Sequence, residues 1–215
     1  MPEQRGAFIV FEGVDGSGKS TQAFLLAKYL GEEQVKAVAT REPGGTETGE
    51  RIREILLDPH GEGITAVTEL LLYMASRAQH VENLIKPALA RGEVVVCERF
   101  LWSSIAYQGY GLAVPVETIE EIGALAVGDV VPDLTIVLDM DPAAALERER
   151  GPGSAPFGRD RIERRGVEFE KKVRAGFLEL AERFAGRTAV VDAARPPKEV
   201  HEDVKALVED VLRAD

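Results

Sequence analysis

Five short apolar runs, at residues 7–11, 35–39, 93–97, 134–138 and 188–191, punctuate the 215-residue chain. Each is rich in β-branched side chains and bounded by polar or turn-forming residues, the pattern of a buried strand. Between them lie longer segments in which apolar residues recur every three or four positions, the pattern of an amphipathic helix. Helices are predicted over 20–30, ended by Gly31, near 48–57, ended before Asp58-Pro59, and near 115–127. Between 67 and 90, Leu70, Leu71, Met74, Val81, Leu84, Ile85 and Leu89 keep a helical period, and Pro87 is expected to bend or restart that helix. Val173, Phe177, Leu180 and Phe184 form the buried stripe of another helix. Strand–helix alternation of this kind predicts an α/β protein whose parallel sheet is covered on both faces.

The link between the first strand and the first helix is the most informative stretch. Gly13-Val14-Asp15-Gly16-Ser17-Gly18-Lys19-Ser20, followed by Thr21, reads G-x-x-x-x-G-K-S in a strand–loop–helix context. That context makes it a phosphate-binding loop. Its glycines let successive backbone N–H groups converge on an anion, Lys19 can reach the outer phosphates, and the Ser20 hydroxyl can ligate Mg²⁺. The N-terminus of the helix adds partial positive charge at the same point. The motif implies a nucleotide without saying what is done with it.

Composition narrows the choice. A net charge of −11, from 26 basic and 37 acidic residues, argues against a nucleic-acid partner, which needs a positive surface. The single cysteine, Cys97, excludes an internal disulfide and is expected as a buried thiol in its strand. No apolar run reaches the length of a membrane span, and the first residues do not read as a secretory signal, so a cytoplasmic protein without a membrane partner is expected. The length fits one domain, 1–215. His60, His80 and His201 lack metal-ligand spacing and are expected at the surface or behind the site.

Further candidates lie at strand ends, where open α/β sheets bind ligands. Arg41 begins the irregular stretch Arg41-Glu42-Pro43-Gly44-Gly45-Thr46, and Arg99 follows Glu98 at the end of another strand. Glu98 is itself placed to hold Mg²⁺ through water. Tyr73 and Arg77 are four apart on a predicted helix and face one pocket, where a ring and a hydrogen-bonding fork suit a pyrimidine. The loop-like stretch 151–158 is flanked by Arg148, Arg150, Arg159 and Arg161, as expected of a lid that brings cations over phosphates. A small-metabolite kinase accounts for all of these features. The rivals are another nucleoside or nucleoside-monophosphate kinase, a P-loop NTPase switch that hydrolyses without an acceptor, and a non-catalytic nucleotide-binding scaffold. The guanine-reading N-K-x-D signal of a small GTPase is missing from the sequence.

Taken together, the stretches 11–22 and 41–46, Leu71-Leu72-Tyr73 with Arg77, Glu98-Arg99-Phe100 with Ser103-Ser104, Ala106-Tyr107-Gln108-Gly109 and Asp160-Arg161-Ile162-Glu163 resemble the bacterial thymidylate kinase family, in the family's order. The resemblance implies a P-loop NTPase-type three-layer α/β/α fold, with a five-stranded parallel sheet in the order 2-3-1-4-5 and a lid at about 148–161. It implies transfer of the γ-phosphoryl of ATP to dTMP with Mg²⁺, and a homodimer to which the helix around 67–90 contributes. By position it puts Asp15 near the acceptor 3′-hydroxyl, Arg41 and Arg99 on the acceptor phosphate, Tyr73 on the thymine face and Arg77 on a thymine carbonyl. Ser104 falls facing the base and Tyr107 at the 2′ side of the sugar. Gly16-Ser17 in the phosphate loop resembles the lid-arginine type, in which Arg148, Arg150 and Arg159 are the candidates beside Lys19 for stabilising the transferring group. The chain departs from the family pattern at Glu98, usually Asp, at Phe100, usually Tyr, and at Phe177, often Tyr.

Overall fold

The computed structural model describes residues 5–59, 63–149 and 161–214. The apolar runs form five parallel strands, β1 (Phe8–Glu12), β2 (Ala37–Arg41), β3 (Val94–Glu98), β4 (Leu134–Asp139) and β5 (Thr188–Asp192), in the expected order β2-β3-β1-β4-β5. Helices cover both faces. Ile9 and Phe11 of the central β1 pack with Leu26 and Leu30 of α1 (Lys19–Glu32), Phe177 of α8 (Val167–Arg183) and Val204 of α9 (Pro197–Ala214). Phe8 and Val10 point the other way, onto Val81, Ile85 and Leu89. Burial on both faces is why β1 reads as an unbroken apolar run. Each fully buried Phe or Ile contributes about 1.5–3 kcal/mol.

The differences from expectation have local causes. Strand β2 begins two residues later than the apolar run, because its register is fixed by pairing Ala37 with Val94 through Arg41 with Glu98. Val35 instead closes α1, donating its N–H to Leu30 O at 2.8 Å. Arg41 is therefore the last residue of a strand. After α2 (Glu47–Leu57), capped by the Thr46 hydroxyl, the predicted 67–90 helix is three pieces: α3 (Ala66–His80), a π-helical turn (Val81–Ile85) and α4 (Lys86–Ala90). The wider turn comes immediately before Pro87, which has no N–H to give to the preceding turn. Leu71 is 49% exposed and Phe184 42% exposed, so neither belongs to the core. Phe184 falls outside because α8 ends at Arg183 and the chain there leaves helical geometry. Its ring packs instead against Trp102 at 5.6 Å.

Beyond β3 lie α5 (Leu101–Ser104), a second π-helical stretch (Ile105–Gly111), α6 (Val116–Val127) and α7 (Pro142–Glu149). Residues 101–111 escaped the helical-period search because π spacing is not 3.6. Arg150, Arg159 and most of the expected lid lie outside the described residues. Among the described residues no helix is long and apolar enough to cross a membrane.

Candidate active site

The C-terminal ends of β1, β2 and β3 open onto two adjoining cavities. The larger, about 390 Å³, is lined by Asp15, Gly16, Gly18, Lys19, Ser20, Thr21, Arg41, Glu98 and Arg148, among others. The loop after β1 takes a shape that needs glycine. Gly16 has φ 75°, and a Cβ there would lie 2.2 Å from Ala145 O of α7. A side chain at position 16 has no room, and α7 instead sends Arg148 to the cavity. The Arg148 guanidinium donates to Ala193 O at 3.0 Å. Lys19 folds back onto its loop, Nζ donating to Gly13 O at 3.1 Å and Val14 O at 2.7 Å. Burial, then the charge of Arg99, lowers its ammonium to about 8, although Asp15, Glu12 and Glu98 pull the other way. The buried Ser17 hydroxyl has no partner among the described residues. Ser20 Oγ donates to Glu98 Oε2 at 2.5 Å.

The second cavity, about 140 Å³, is lined by Pro43, Leu57, Tyr73, Ser103, Ser104, Tyr107, Gln108 and Ile162. Asp15, Glu42, Arg53 and Arg99 line both cavities and form their common wall.

Arg99 is the centre of that wall. Its backbone is left-handed, φ 65°, a conformation that costs a non-glycine residue about 1–2 kcal/mol. Its N–H holds Phe11 O at 2.8 Å. The guanidinium donates to Ser103 Oγ at 3.1 Å and Tyr107 Oη at 3.2 Å, pairs with Asp15, and lies 5.0 Å from the Tyr107 ring centre. Burial pushes the Asp15 carboxyl up, but Arg99, Lys19 and the Tyr107 hydroxyl outweigh it and hold it ionised below the usual range. Burial and the Asp15 charge keep the Tyr107 phenol neutral.

The turn after Arg99 is set by Glu12, the last residue of β1. Its fully buried carboxylate accepts the N–H groups of Phe100 at 2.9 Å and Ser103 at 3.1 Å, and the Ser103 hydroxyl at 2.5 Å. Burial raises its pKa more than these bonds lower it.

The 42–46 loop is held from beneath by α3. Glu42 accepts Arg77 Nε at 2.7 Å and faces His80 Nδ1 at 3.0 Å, all three side chains being buried. His80 Nε2 meets Thr40 Oγ1 at 2.7 Å, and a Cβ on Gly45 would lie 2.6 Å from the same nitrogen. Arg77 also donates to Ser104 Oγ at 3.0 Å and Phe100 O at 2.8 Å. It thus stands behind the cavity wall, not among the lining residues, whereas Tyr73 does line the cavity. Arg41 is exposed, paired with Glu50 at 2.9 Å, and reaches only the larger cavity. Arg53 donates to Pro43 O at 3.0 Å, and burial, then the nearby Arg41 charge, lowers its pKa.

Sequence reasoning therefore missed Arg53, Glu12 and Glu42. Arg53 carried a usable signal: it is four residues from Leu57 on a predicted helix, and both line one cavity. Glu12 was visible as a carboxylate ending an apolar run. Cys97 is buried, as expected. Among the described residues no group of three His, Cys, Asp or Glu side chains could hold a metal ion.

Two cavities of this kind, one wrapped by an anion-binding loop and one walled by an aromatic ring and polar side chains, can hold two phosphate-bearing molecules head to head across Arg53 and Arg99. Known proteins are similar to the chain over nearly its whole length. The family model described as thymidylate kinase matches residues 11–204. The chain is 50% identical to a thymidylate kinase of Symbiobacterium thermophilum, over 95% of this chain and 94% of the relative. It is 51% identical to one from Pelotomaculum thermopropionicum, over 98% and 96%. The crystal structure of thymidylate kinase from Ehrlichia chaffeensis superposes with a TM-score of 0.77 at 36% identity, covering 95% of this chain and 99% of that one.

Proposed function

The chain belongs to the thymidylate kinase family, and from that premise we infer how its residues carry out the ATP-dependent phosphorylation of dTMP to dTDP. The observation that carries the reading is the common wall of the two cavities, where Asp15, Glu42, Arg53 and Arg99 face both sides. Residues 13–21 cradle the phosphates of ATP, with Lys19 leaving its loop carbonyls for the outer phosphates. Arg99, Arg53 and Arg41 hold the acceptor phosphate. Tyr73 and Ser104 border the base, and Tyr107 and Asp15 the sugar, while Arg77 acts through Ser104 and the 42–46 loop. No side-chain base is needed, because the attacking atom is already an anionic phosphate oxygen. Positioning and charge stabilisation are what the protein supplies. Arg148, already at the larger cavity, is the described lid-flanking arginine best placed to stabilise the transferring group; Arg150 and Arg159, outside the described residues, are the further candidates.

The donor set suits Mg²⁺. Ser20 Oγ and Glu98 share a hydrogen bond beside the phosphate loop, and Mg²⁺ takes one or two protein oxygens and fills its remaining positions with water and phosphate. When bound, the ion neutralises charge on the nucleotide phosphates; Ser20 and Glu98 would hold it. The longer arm of Glu98, relative to the family's Asp, still reaches Ser20.

A homodimer belongs to the same reading. Val67 and Leu71 are 56% and 49% exposed on α3, and Leu125 is 88% exposed on the adjoining α6. Apolar side chains left exposed on two packed helices favour association. A cytoplasmic location and one lidded domain over 1–215 complete it.

Coupled ADP release tests the function. Across dTMP, dUMP, dCMP, AMP and thymidine, dTMP is expected to give the highest kcat/KM. ADP release that ignores the acceptor would indicate a hydrolase, and preference for another acceptor would reassign the kinase.

A further inference from the structure

Glu12 is fully buried and lines neither of the two adjoining cavities. Its carboxylate nevertheless brackets the turn that carries Arg99. Oε1 accepts the N–H groups of Phe100 and Ser103, and Oε2 accepts the Ser103 hydroxyl. On the other flank, the N–H of Arg99 itself is held by Phe11 O, from the residue before Glu12. Two consecutive residues of β1 thus fix the backbone on both sides of Arg99. Its φ of 65° is one that a non-glycine residue keeps only where its surroundings over-determine it.

The same carboxylate reaches the guanidinium through one hydroxyl. Arg99 Nη1 lies 3.1 Å from Ser103 Oγ. A guanidinium donates and never accepts, so Ser103 Oγ is the acceptor there and gives its own proton to Glu12 Oε2 at 2.5 Å. The bonds run in one direction, from Arg99 to Ser103 to Glu12. The other side-chain partners of the guanidinium, Asp15 and Tyr107, line the smaller cavity, as Ser103 does. Glu12 alone in this chain of contacts stands away from both cavities, and so keeps its place whatever occupies them.

We propose that Glu12 is a positioning residue for phosphoryl transfer, which holds the Arg99 guanidinium at the common wall of the two cavities through Ser103 and the backbone of Phe100. The inference rests on the reading of Arg99 as a ligand of the acceptor phosphate. Glu12 is followed directly by Gly13, which opens the phosphate loop. Gly13 O receives both Lys19 Nζ at 3.1 Å and Arg99 Nη1 at 3.4 Å. The group that places the acceptor-side arginine is therefore one peptide bond from the loop that takes the donor phosphates. The two phosphates are placed relative to each other from a single strand end. A misplacement of about 1 Å in such a site can cost about 100-fold in rate.

The test is a double-mutant cycle between Glu12→Gln and Arg99→Met, read as dTMP affinity by calorimetry and KM for ATP in the coupled assay. The amide of Glu12→Gln still accepts the two N–H groups but turns its NH₂ toward Ser103 Oγ, which can no longer give its proton there. With Arg99 present, Glu12→Gln is expected to weaken dTMP binding by about tenfold, the scale of one hydrogen bond to a charged group, with KM for ATP within about twofold. In the Arg99→Met background the same change should alter dTMP affinity by less than about twofold, because the group it positions is gone. Ser103→Ala breaks the link at its middle while leaving both N–H bonds on Glu12. It should reproduce the loss, again only with Arg99 present, and it decides the matter if Glu12→Gln does not fold. Equal losses from Glu12→Gln with and without Arg99 would overturn the positioning role, as would wild-type dTMP affinity in Ser103→Ala. Arg99→Met that binds dTMP as wild type does would instead refute the assignment of Arg99 to the acceptor phosphate, and the inference with it.

Discussion

The two sides of the site are built differently. On the acceptor side and in the common wall, charged groups are buried and answered by one another: Glu42 with Arg77 and His80, Arg99 with Asp15 and Tyr107, Glu69 with Arg161 and Arg165. On the donor side, the chemical groups have placeholder partners. Lys19 rests on two loop carbonyls, Ser20 on Glu98, and Arg148 on a carbonyl of the chain after β5. A phosphate can take over each of these bonds without exposing a buried charge. On the proposed reading, the acceptor side is organised before substrate arrives and the donor side is organised by it.

The difference predicts a hierarchy of effects. Glu42→Ala leaves a buried guanidinium without its carboxylate and should lower stability by about 3–5 kcal/mol in urea unfolding, the scale for breaking one half of a buried pair. A loss under about 1 kcal/mol would mean the acceptor side is no better fixed than the donor side. Lys19→Met should lower kcat by about 10²–10³-fold, the scale for losing one preorganised charge contact, while dTMP affinity by calorimetry stays within about twofold. An equal loss of dTMP affinity would show the two sides to be one unit.

A smaller effect follows from the ammonium of Lys19, which burial lowers to about 8 before nucleotide binds. Phosphates favour its charged form and raise it again. Below pH 8 the lysine is already protonated and ATP affinity should be flat in this respect. Above pH 8 binding must take up a proton, and affinity should fall by up to about tenfold per pH unit. Lys19→Met should abolish that slope. The smallest stability effect belongs to Arg41→Ala. Its pair with Glu50 is half exposed, so the change should stay within about 1 kcal/mol, and KM for dTMP rather than the melting temperature should respond.

Much of this was legible in the chain. The three central strands were visible because burial on both faces makes continuous apolar runs, and the phosphate loop because its glycines, lysine and serine have few other uses together. The acceptor side was harder to read. On α3, Glu69, Tyr73, Ser76, Arg77 and His80 fall on one helical face, a polar stripe turned inward. A period search for apolar residues registers its neighbours on the helix instead, Leu70, Leu71 and Met74. Tyr73 and Arg77 stood out by their spacing and through the resemblance, but not that Arg77 stands behind the wall, on Glu42, Ser104 and Phe100 O. Glu69 reads as an ordinary charged helix residue until tertiary structure brings Gln108, Arg161 and Arg165 to it. Contacts across such distances in sequence leave no local pattern. Leu71 and Phe184 failed in the opposite sense, fitting an apolar period while lying outside the core.

The central claim is that Arg99 and Arg53 stand where the two substrates meet. A crystal structure with dTMP and a non-hydrolysable ATP analogue bound together tests it most directly. The account predicts the dTMP phosphate within hydrogen-bonding distance of both guanidinium groups and facing the terminal phosphate over Lys19. A dTMP phosphate bound away from positions 53 and 99 would contradict it.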